Sequence, residues 1–221
     1  MGTVEFHNQQ LTIYSHIITY GNAADDALTE MIRDEIETMW NEPKASLLFV
    51  QKDSFGDGSM FDVRFNITAS FWPAITDIDI YQNTDPRNNY FRIEEYANDN
   101  ISFVDGLGCN TGYFKLENLY KGSTTAAHEY GHTLGLPHPD DMDFRGKGVP
   151  GIMYPRGTLV DPKYQYEPDK PAGTKGGTLF PIYRKVKQED IELLNLHRLS
   201  FENNQAIIGE FTSVWHDPHS P

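Results

Sequence analysis

The sequence predicts an α+β fold, and three observations support this prediction. Residues 11–20 and 60–70 are rich in Ile, Val, Thr, Tyr and Phe, as β-strands are, and a glycine-containing turn adjoins each run. Residues 25–41 place apolar side chains three or four positions apart, which is typical of a helix with one buried face. A histidine-rich segment at 128–138 has the spacing of another helix, which would carry a chemical site.

Shorter patterns justify the other elements in chain order. Residues 71–100 contain Pro73, Pro86 and several Asp and Asn, so we expect a long surface loop there. The helix of the histidine segment should begin near Ser123 or Thr125, either of which can cap it, and end near Leu134. Further strands are expected at 45–51, 101–105 and 113–117, and a last helix at 188–199.

The whole chain, 1–221, is expected to form one domain, with a core at about 11–200 and a C-terminal tail at 201–221. A chain of 221 residues with 38% hydrophobic residues is long and apolar enough to bury a core. The tail contains Ile207, Phe211 and Trp215, so it is too apolar for a pure linker. We expect the tail to pack as an extra strand or to form a junction with a partner.

Charge and hydropathy exclude two classes of partner. The formal net charge of −14 argues against nucleic acid, because binding a phosphate backbone requires clustered Lys and Arg. No uninterrupted apolar stretch approaches 18 residues, so we expect no membrane span. Residues 1–10 are too polar for a signal peptide. Nothing in the sequence indicates the oligomeric state.

Residues 128–138 read His-Glu-Tyr-Gly-His-Thr-Leu-Gly-Leu-Pro-His and predict a zinc site. His128 and His132 are four residues apart, so on a helix they lie on one face and can bind one metal ion. Gly135 can adopt positive φ and end the helix, which would bring His138 to the same ion. The alternative is an ordinary amphipathic helix with surface histidines.

Glu129 is the candidate catalytic residue of this segment. It lies next to His128 but is not needed as a ligand, and three imidazoles leave one position of a tetrahedral zinc site open. Zinc would acidify a water molecule in that position, and Glu129 would act as the general base that accepts its proton. Glu129 would then deliver the proton to the leaving amine, so the segment predicts hydrolysis.

The spacing His128-x-x-x-His132-x-x-Gly135-x-x-His138 resembles that of the metzincin zinc endopeptidases, whose second signature is a methionine-containing turn beneath the metal. Residues 151–155, Gly-Ile-Met-Tyr-Pro, are similar to that turn and place Met153 in it. Within the clan the chain looks most similar to matrixins. The resemblance implies a zincin catalytic domain with a twisted, mixed five-stranded sheet, an active-site helix, the methionine turn and a C-terminal helix.

Several positions depart from the matrixin pattern. Pro139 follows the third histidine where matrixins usually have serine, and residues 71–100 contain no histidine that could bind a second, structural zinc. No tyrosine stands two residues after Met153, which argues against the tyrosine ligand of astacins and serralysins. The resemblance therefore supports a matrixin-like metzincin without a subfamily.

The resemblance also implies how a protein or peptide substrate would bind. An extended substrate would add a strand to the exposed edge near Asn100 to Val104, where Asn100, Ile101 and Ser102 would bind it, so that main-chain hydrogen bonds carry the affinity. Tyr154 and Arg156, in and after the methionine turn, would help form a side-chain pocket. Arg156 would bias this pocket toward acidic or polar side chains, unless it is an ordinary solvated arginine.

Two further expectations are weaker. Ca²⁺ is a possible second cofactor, because oxygen ligands are available from Asp53, Asp57, Asp62, the acids between Asp77 and Asp99, Asp140, Asp141 and Asp143, although solvated surface acids are the simpler explanation. We also expect a secreted or exported protein that lacks its leader here, with a cytoplasmic location left open.

The leading functional hypothesis is a zinc metalloendopeptidase. The alternatives are a catalytically inactive binding module that keeps the zincin fold and a toxin or effector protease domain of a larger secreted protein. Glu129 disfavours the inactive module, because a metal-binding fold without catalysis does not need it.

Overall fold

A computed structural model describes residues 1–49, 59–98 and 101–220. These residues form one mixed sheet and four α-helices, so the α+β class is confirmed in general form. The strands are β1 (Gly2–His7), β2 (Gln10–Tyr20), β3 (Ser46–Phe49), β4 (Ser59–Phe71), β5 (Asn88–Glu94), β6 (Phe103–Val104), β7 (Thr111–Lys115) and β8 (Gln205–Ile208). The helices are α1 (Asp26–Asn41), α2 (Asp77–Tyr81), α3 (Thr125–Thr133) and α4 (Gln188–Leu193). The expected five strands are wrong, because the described chain has eight.

The long strand β2 is the centre of the sheet. It pairs in parallel with β4 on one side along nearly its whole length. On its other side, β1 pairs antiparallel with its first half and β5 pairs in parallel with its second half. Beyond β5 lie the parallel strand β7 and the antiparallel edge strand β6, while β3 forms the opposite edge beside β4. The sheet therefore branches at β2.

The prediction of a long loop at 71–100 is wrong, because this stretch contains α2 and β5. A capping box, in which the Asp79 carboxylate accepts from the Thr76 backbone N–H at 2.8 Å, starts the short helix. In β5 the polar residues Asn89, Arg92 and Glu94 are buried, and Arg92 pairs with Glu94 at 2.7 Å. These buried polar residues make the sequence of β5 look like a loop. In addition, a central parallel strand is covered on both faces, so its sequence lacks the apolar–polar alternation of a half-exposed strand.

The two ends of the chain pair with each other. Positive φ at Asn8 and Gln9 closes a hairpin between β1 and β2, and β8 then pairs antiparallel with β1. The sequence analysis did not predict β1, whereas β8 confirms the expected extra strand in the tail. Beyond β8, the buried Asn110 carboxamide accepts hydrogen bonds from the Thr212 and Ser213 backbone N–H groups at 3.0 and 2.9 Å. Trp215 stacks on Tyr20 at 5.3 Å, so the tail packs against the domain.

Other expected boundaries need smaller corrections. The strand expected at 101–105 is limited to Phe103–Val104, and that at 45–51 is described only as Ser46–Phe49, since residues 50 and 51 lie outside the described ranges. The last helix is shorter than 188–199, because Asn195 adopts positive φ (51°) and a 3₁₀ turn, Leu196–Arg198, follows. In the described part of the chain, no helix combines the length and apolar composition required to cross a membrane.

The core lies between the sheet and helices α1 and α3. The Trp40 indole of α1 donates to the Ala127 carbonyl of α3 at 3.0 Å and contacts the Tyr130 ring edge-on at 5.7 Å. Phe65 of β4 packs against both rings, with centroids 5.2 Å from Trp40 and 6.4 Å from Tyr130. All three aromatic side chains are buried. They fix α3, and therefore the histidine segment, relative to the sheet.

Asn41 at the end of α1 replaces a missing strand partner. Beyond Ala45, no strand of the described residues pairs with β4 on its β3 side, and the Asn41 carboxamide pairs there with Phe65. Its Oδ1 accepts from the Phe65 N–H at 3.0 Å, and its Nδ2 donates to the Phe65 carbonyl at 2.8 Å. One side chain thus satisfies both main-chain groups of a buried strand residue, as a neighbouring strand would.

We predict that Asn41→Ala lowers the free energy of unfolding by about 1–3 kcal/mol, because both Phe65 main-chain groups lose their partner. Asn66→Ala is the matched control, since Asn66 is exposed on the next residue of β4 and should change stability by less than about 0.5 kcal/mol. Urea denaturation measures both. Equal stability of the two variants would contradict the role given to Asn41.

Candidate metal centre

Helix α3 carries the site, and all nine of its residues are buried. Its expected capping differs in detail: the N-cap is Thr124 in the left-handed region (φ 56°), and Ser123 Oγ accepts from the Thr125 N–H at 3.2 Å. A carboxylate oxygen of Glu35, from α1, accepts from the Ala127 N–H at 3.3 Å. Burial raises the pKa of Glu35, while these helix N–H groups and Arg184 oppose the rise. A carboxylate of α1 thus accepts a hydrogen bond from a main-chain N–H in the first turn of the site helix.

The three predicted histidines converge on one point. His128 and His132 lie one helical turn apart, and Gly135 takes φ 94° immediately after the helix, which returns the chain toward them. His138 Nε2 lies 3.1 Å from His128 Nε2 and 3.0 Å from His132 Nε2. Among the described residues, this is the one group of three or more His, Cys, Asp or Glu side chains that can hold a metal ion.

Main-chain carbonyls fix two of the rings. His128 Nδ1 lies 2.7 Å from the Ile152 carbonyl, and His132 Nδ1 lies 2.7 Å from the Leu136 carbonyl. Since a carbonyl only accepts, each Nδ1 carries the proton, and each Nε2 of a neutral ring presents a lone pair. These lone pairs face the third ring, and one Nε2–H on His138 could satisfy only one of them.

A metal ion fits this donor set. Zinc–nitrogen bonds of about 2.0–2.1 Å in a tetrahedral site would place ligand atoms roughly 3.3 Å apart, close to the Nε2 separations of His138 from His128 and His132. Burial lowers the pKa of all three histidines, that of His132 to about 4, so the rings are neutral as ligands must be. The carbonyl bonds at Nδ1 are the outer contacts that orient metal-binding histidines. The geometry does not identify the metal.

Glu129 opens into the same cleft as the three histidines. It is 7% exposed, and burial raises the pKa of its carboxyl to about 8. The positive charge of Arg184 and the backbone N–H of Val104, in edge strand β6, act in the opposite direction and favour the carboxylate. The residue next to His128 is therefore linked to both the edge strand and a buried arginine.

Met153 lies beneath the site helix. A Cβ built on Gly131, between the two helical histidines, would overlap Met153 Sδ and meet Met153 Cε and Trp40 Cζ2 at 3.1 Å. Met153 is 3% exposed, and the preceding residue, Ile152, provides the carbonyl that holds His128. The sequence analysis placed Met153 under the site, and in the structure Met153 packs against Gly131 of the site helix. The sequence analysis did not identify Gly131 as important.

The buried carboxyl of Asp190 holds the turn that contains Met153 from the other side. It accepts from the Lys187 N–H at 2.8 Å and from the backbone of Ile152. Burial raises its pKa to about 6, and both hydrogen bonds oppose this rise. The start of α4 is thereby tied to the turn that orients His128, a connection that no sequence motif indicated.

The cleft has a volume of about 530 Å³ and runs along β6. Ile101, Ser102 and Arg156 line it, as the sequence analysis predicted for substrate-binding residues. Ser102 is also held in place, because its Oγ accepts from the Lys115 N–H at 3.1 Å. Asn100 lies outside the described residues.

Tyr154 is not among the residues that line the cleft. Its ring packs on Phe144, with centroids 4.6 Å apart, within a small separate core formed by the segment after His138. The expectation that the Tyr154 side chain helps form the pocket is therefore wrong. What Tyr154 contributes is its carbonyl, which accepts from Arg184 at 3.2 Å.

Arg184 lines the cleft and was missed by sequence reasoning. It belongs to a Gly- and Pro-rich stretch without periodicity, so no spacing relates it to the histidines 46 to 56 residues earlier. Only the fold brings it near them.

The calcium expectation stays a prediction. Asp141 and Asp143 pair with Lys147 and Arg145, each at 2.6 Å or less, and within the described ranges no acidic side chains converge as the histidines do. Asp53, Asp57 and Asp99 lie outside the described residues.

No protein-family model matches this chain, and no curated protein matches it.

We predict that Gly131→Ala destabilises the protein, although Ala is intrinsically better than Gly in a helix by about 1 kcal/mol. The added methyl overlaps the buried Met153 side chain, and such overpacking costs about 1–3 kcal/mol. Gly131→Ala combined with Met153→Ala should cost less than the sum of the two single changes, because removing Met153 makes room. Thermal unfolding measures this double-mutant cycle.

Gly157→Ala is the control for this cycle. A Cβ at Gly157 meets nothing within 4 Å and the residue does not need positive φ, so its substitution should be neutral. Strict additivity of the Gly131 and Met153 changes would mean that their contact does not support the helix.

Proposed function

We propose that this protein is a metal-dependent hydrolase, and more specifically a zinc endopeptidase of the metzincin type. The observation that carries the proposal is the convergence of His128, His132 and His138 in the cleft that also contains Glu129. Three neutral nitrogen donors favour zinc among the metals commonly bound in proteins, and leave a position open for chemistry.

Zinc bound by these residues would supply a Lewis acid that acidifies water and polarises the substrate carbonyl. In its carboxylate form, which the charge of Arg184 favours, Glu129 would take the proton from the attacking water and pass it to the nitrogen of the leaving amine. One water is consumed, the C–N bond breaks, and a carboxylic acid and an amine are formed. The main-chain bonds at His128 and His132 keep both rings in the tautomer that this chemistry requires.

The edge strand supports a peptide as the substrate. β6 pairs with β7 on one side, and its other side borders the cleft. An extended peptide would pair there and pass its scissile bond over the histidines. An internal peptide segment fits this arrangement, and for that reason we propose an endopeptidase.

We predict that zinc-loaded wild type cleaves a denatured protein such as casein and that 1,10-phenanthroline abolishes the cleavage. Glu129→Gln should bind zinc as wild type does and lose about 10²- to 10⁴-fold in kcat/KM, because it lacks the general base and no ligand. His138→Ala should lose both zinc and activity. Metal content is measured by elemental analysis, and cleavage by release of labelled peptides.

Glu95→Gln is the matched control, because Glu95 is exposed and outside the cleft. Its zinc content and activity should equal those of wild type. Wild type that retains zinc but cleaves no substrate in a broad peptide library would contradict the proposal and favour an inactive binding module. Loss of zinc in Glu129→Gln would show that Glu129 is a ligand instead.

A further inference from the structure

Arg184 is a buried cation in the wall of the cleft. It is 3% exposed, and its hydrogen bonds go to neutral acceptors of the segment before α3 and of the methionine turn. Nε donates to Thr124 Oγ1 at 2.9 Å, one terminal nitrogen to the Tyr154 carbonyl at 3.2 Å, and the other to the Ser123 carbonyl at 3.3 Å. A guanidinium has five N–H donors, so these contacts leave two for another partner.

Within residues 1–49, 59–98 and 101–220, no carboxylate forms an ion pair with Arg184, whereas the buried Arg92 pairs with Glu94 at 2.7 Å. Glu129 and Glu35 act on Arg184 only through longer-range electrostatics. Burial lowers the pKa of Arg184 to about 10, so it still carries its charge at neutral pH. Burying a charge without a counter-charge is costly, and a ligand that supplies the opposite charge would offset that cost.

Arg156 adds a second positive charge to the same cleft. It is half-buried, lines the cleft beside Arg184, and reaches toward Thr125 Oγ1 at 3.4 Å. Its proximity lowers the pKa of Arg184, which means that the two like charges repel each other. Neither arginine has an ion-pair partner in the described part of the chain.

The charge of the cleft is opposite to that of the whole protein. The chain has 32 acidic and 18 basic residues, but the residues that line the cleft include two arginines and a single acid, Glu129. A positive site at the bottom of a low-dielectric cleft, on a negatively charged protein, attracts a negatively charged group specifically to that point.

We propose that Arg184 and Arg156 form a pocket for a carboxylate of the substrate close to the scissile bond. This inference rests on the proposed peptidase function and goes beyond it, because it names the substrate class: peptides with an acidic group beside the cleaved bond. A guanidinium fork matches a carboxylate in geometry as well as charge. The small volume of the cleft places that carboxylate within a residue or two of the histidines.

The carboxylate can come from an Asp or Glu side chain or from the C-terminus of a peptide. The test therefore uses a series of labelled peptides that carry Glu or Gln at one of four positions around the bond, each made with a free or an amidated C-terminus. Binding is measured by fluorescence anisotropy on the zinc-loaded Glu129→Gln protein, which does not depend on hydrolysis. Cleavage is then measured with wild type.

At one position, we expect Glu to be preferred over Gln by about 10- to 100-fold in both Kd and kcat/KM, as for charge-assisted recognition. A preference that persists with an amidated C-terminus identifies a side chain, and one that requires the free acid identifies the chain end. Equal binding and cleavage of acid and amide peptides at every position would overturn the carboxylate pocket while leaving the peptidase proposal intact. Preferential binding without cleavage by wild type would support the pocket and contradict the peptidase.

Variants separate recognition by the arginines from direct binding of the carboxylate to zinc. Arg156→Gln should reduce the Glu-over-Gln ratio at least fivefold while the amide peptide is bound as before, and Arg184→Gln should do the same if it folds. Arg64→Gln is the control, because Arg64 is exposed on β4 and outside the cleft, and it should keep the full preference. An unchanged ratio in Arg156→Gln and in every folded Arg184 variant would overturn the proposal, since the zinc would then be the carboxylate receptor.

Discussion

The structure depends on one electrostatic constraint, which is that the Nε2 atoms of His128 and His132 both face the Nε2 atom of His138 at about 3 Å. His128 and His132, whose Nδ1–H groups are used by carbonyls, present lone pairs at Nε2, and one Nε2–H on His138 could satisfy only one of them. A cation bound between the rings would stabilise both lone pairs. The surrounding contacts oppose the tendency of the rings to turn away from one another. The carbonyls of Ile152 and Leu136 fix the rings, and Glu35 and Asp190 fix the elements that carry them.

These contacts come from four separate parts of the chain. Glu35 and Trp40 of α1 bind the backbone of α3, the turn at Met153 fills the space left by Gly131, and the start of α4 holds that turn. Each contact is modest, but together they remove the rotational freedom that the histidines would otherwise have. Because these contacts join protein groups to one another, they would reduce the binding free energy that a metal ion has to use to order its ligands.

The features of the site that lie close together in the sequence could be predicted from it, and the contacts between distant segments could not. The ligands, Glu129 and the turn at Gly135 lie within eleven consecutive residues, where helical periodicity alone relates their positions. α1 and β4 were also predictable, because each buries one face and shows the matching period. β2 is buried on both faces and was predictable from its β-branched and aromatic residues. β5 was not, since its buried Asn89, Arg92 and Glu94 find partners only in the folded chain. Arg184 and Glu35 were missed for the same reason, because no periodicity connects them to the motif.

The buried Arg184 gives the cleft a local positive charge. Arg184 ties the segment before α3 to the methionine turn through three neutral oxygen acceptors, which use three of the five N–H donors of its guanidinium. These acceptors carry no counter-charge, so the buried positive charge retains a desolvation cost. Glu129 does not offset this cost by direct pairing, and Arg156 increases it. A buried charge without an ion-pair partner among the described residues, in the cleft that we propose binds peptide, is consistent with the carboxylate pocket proposed above.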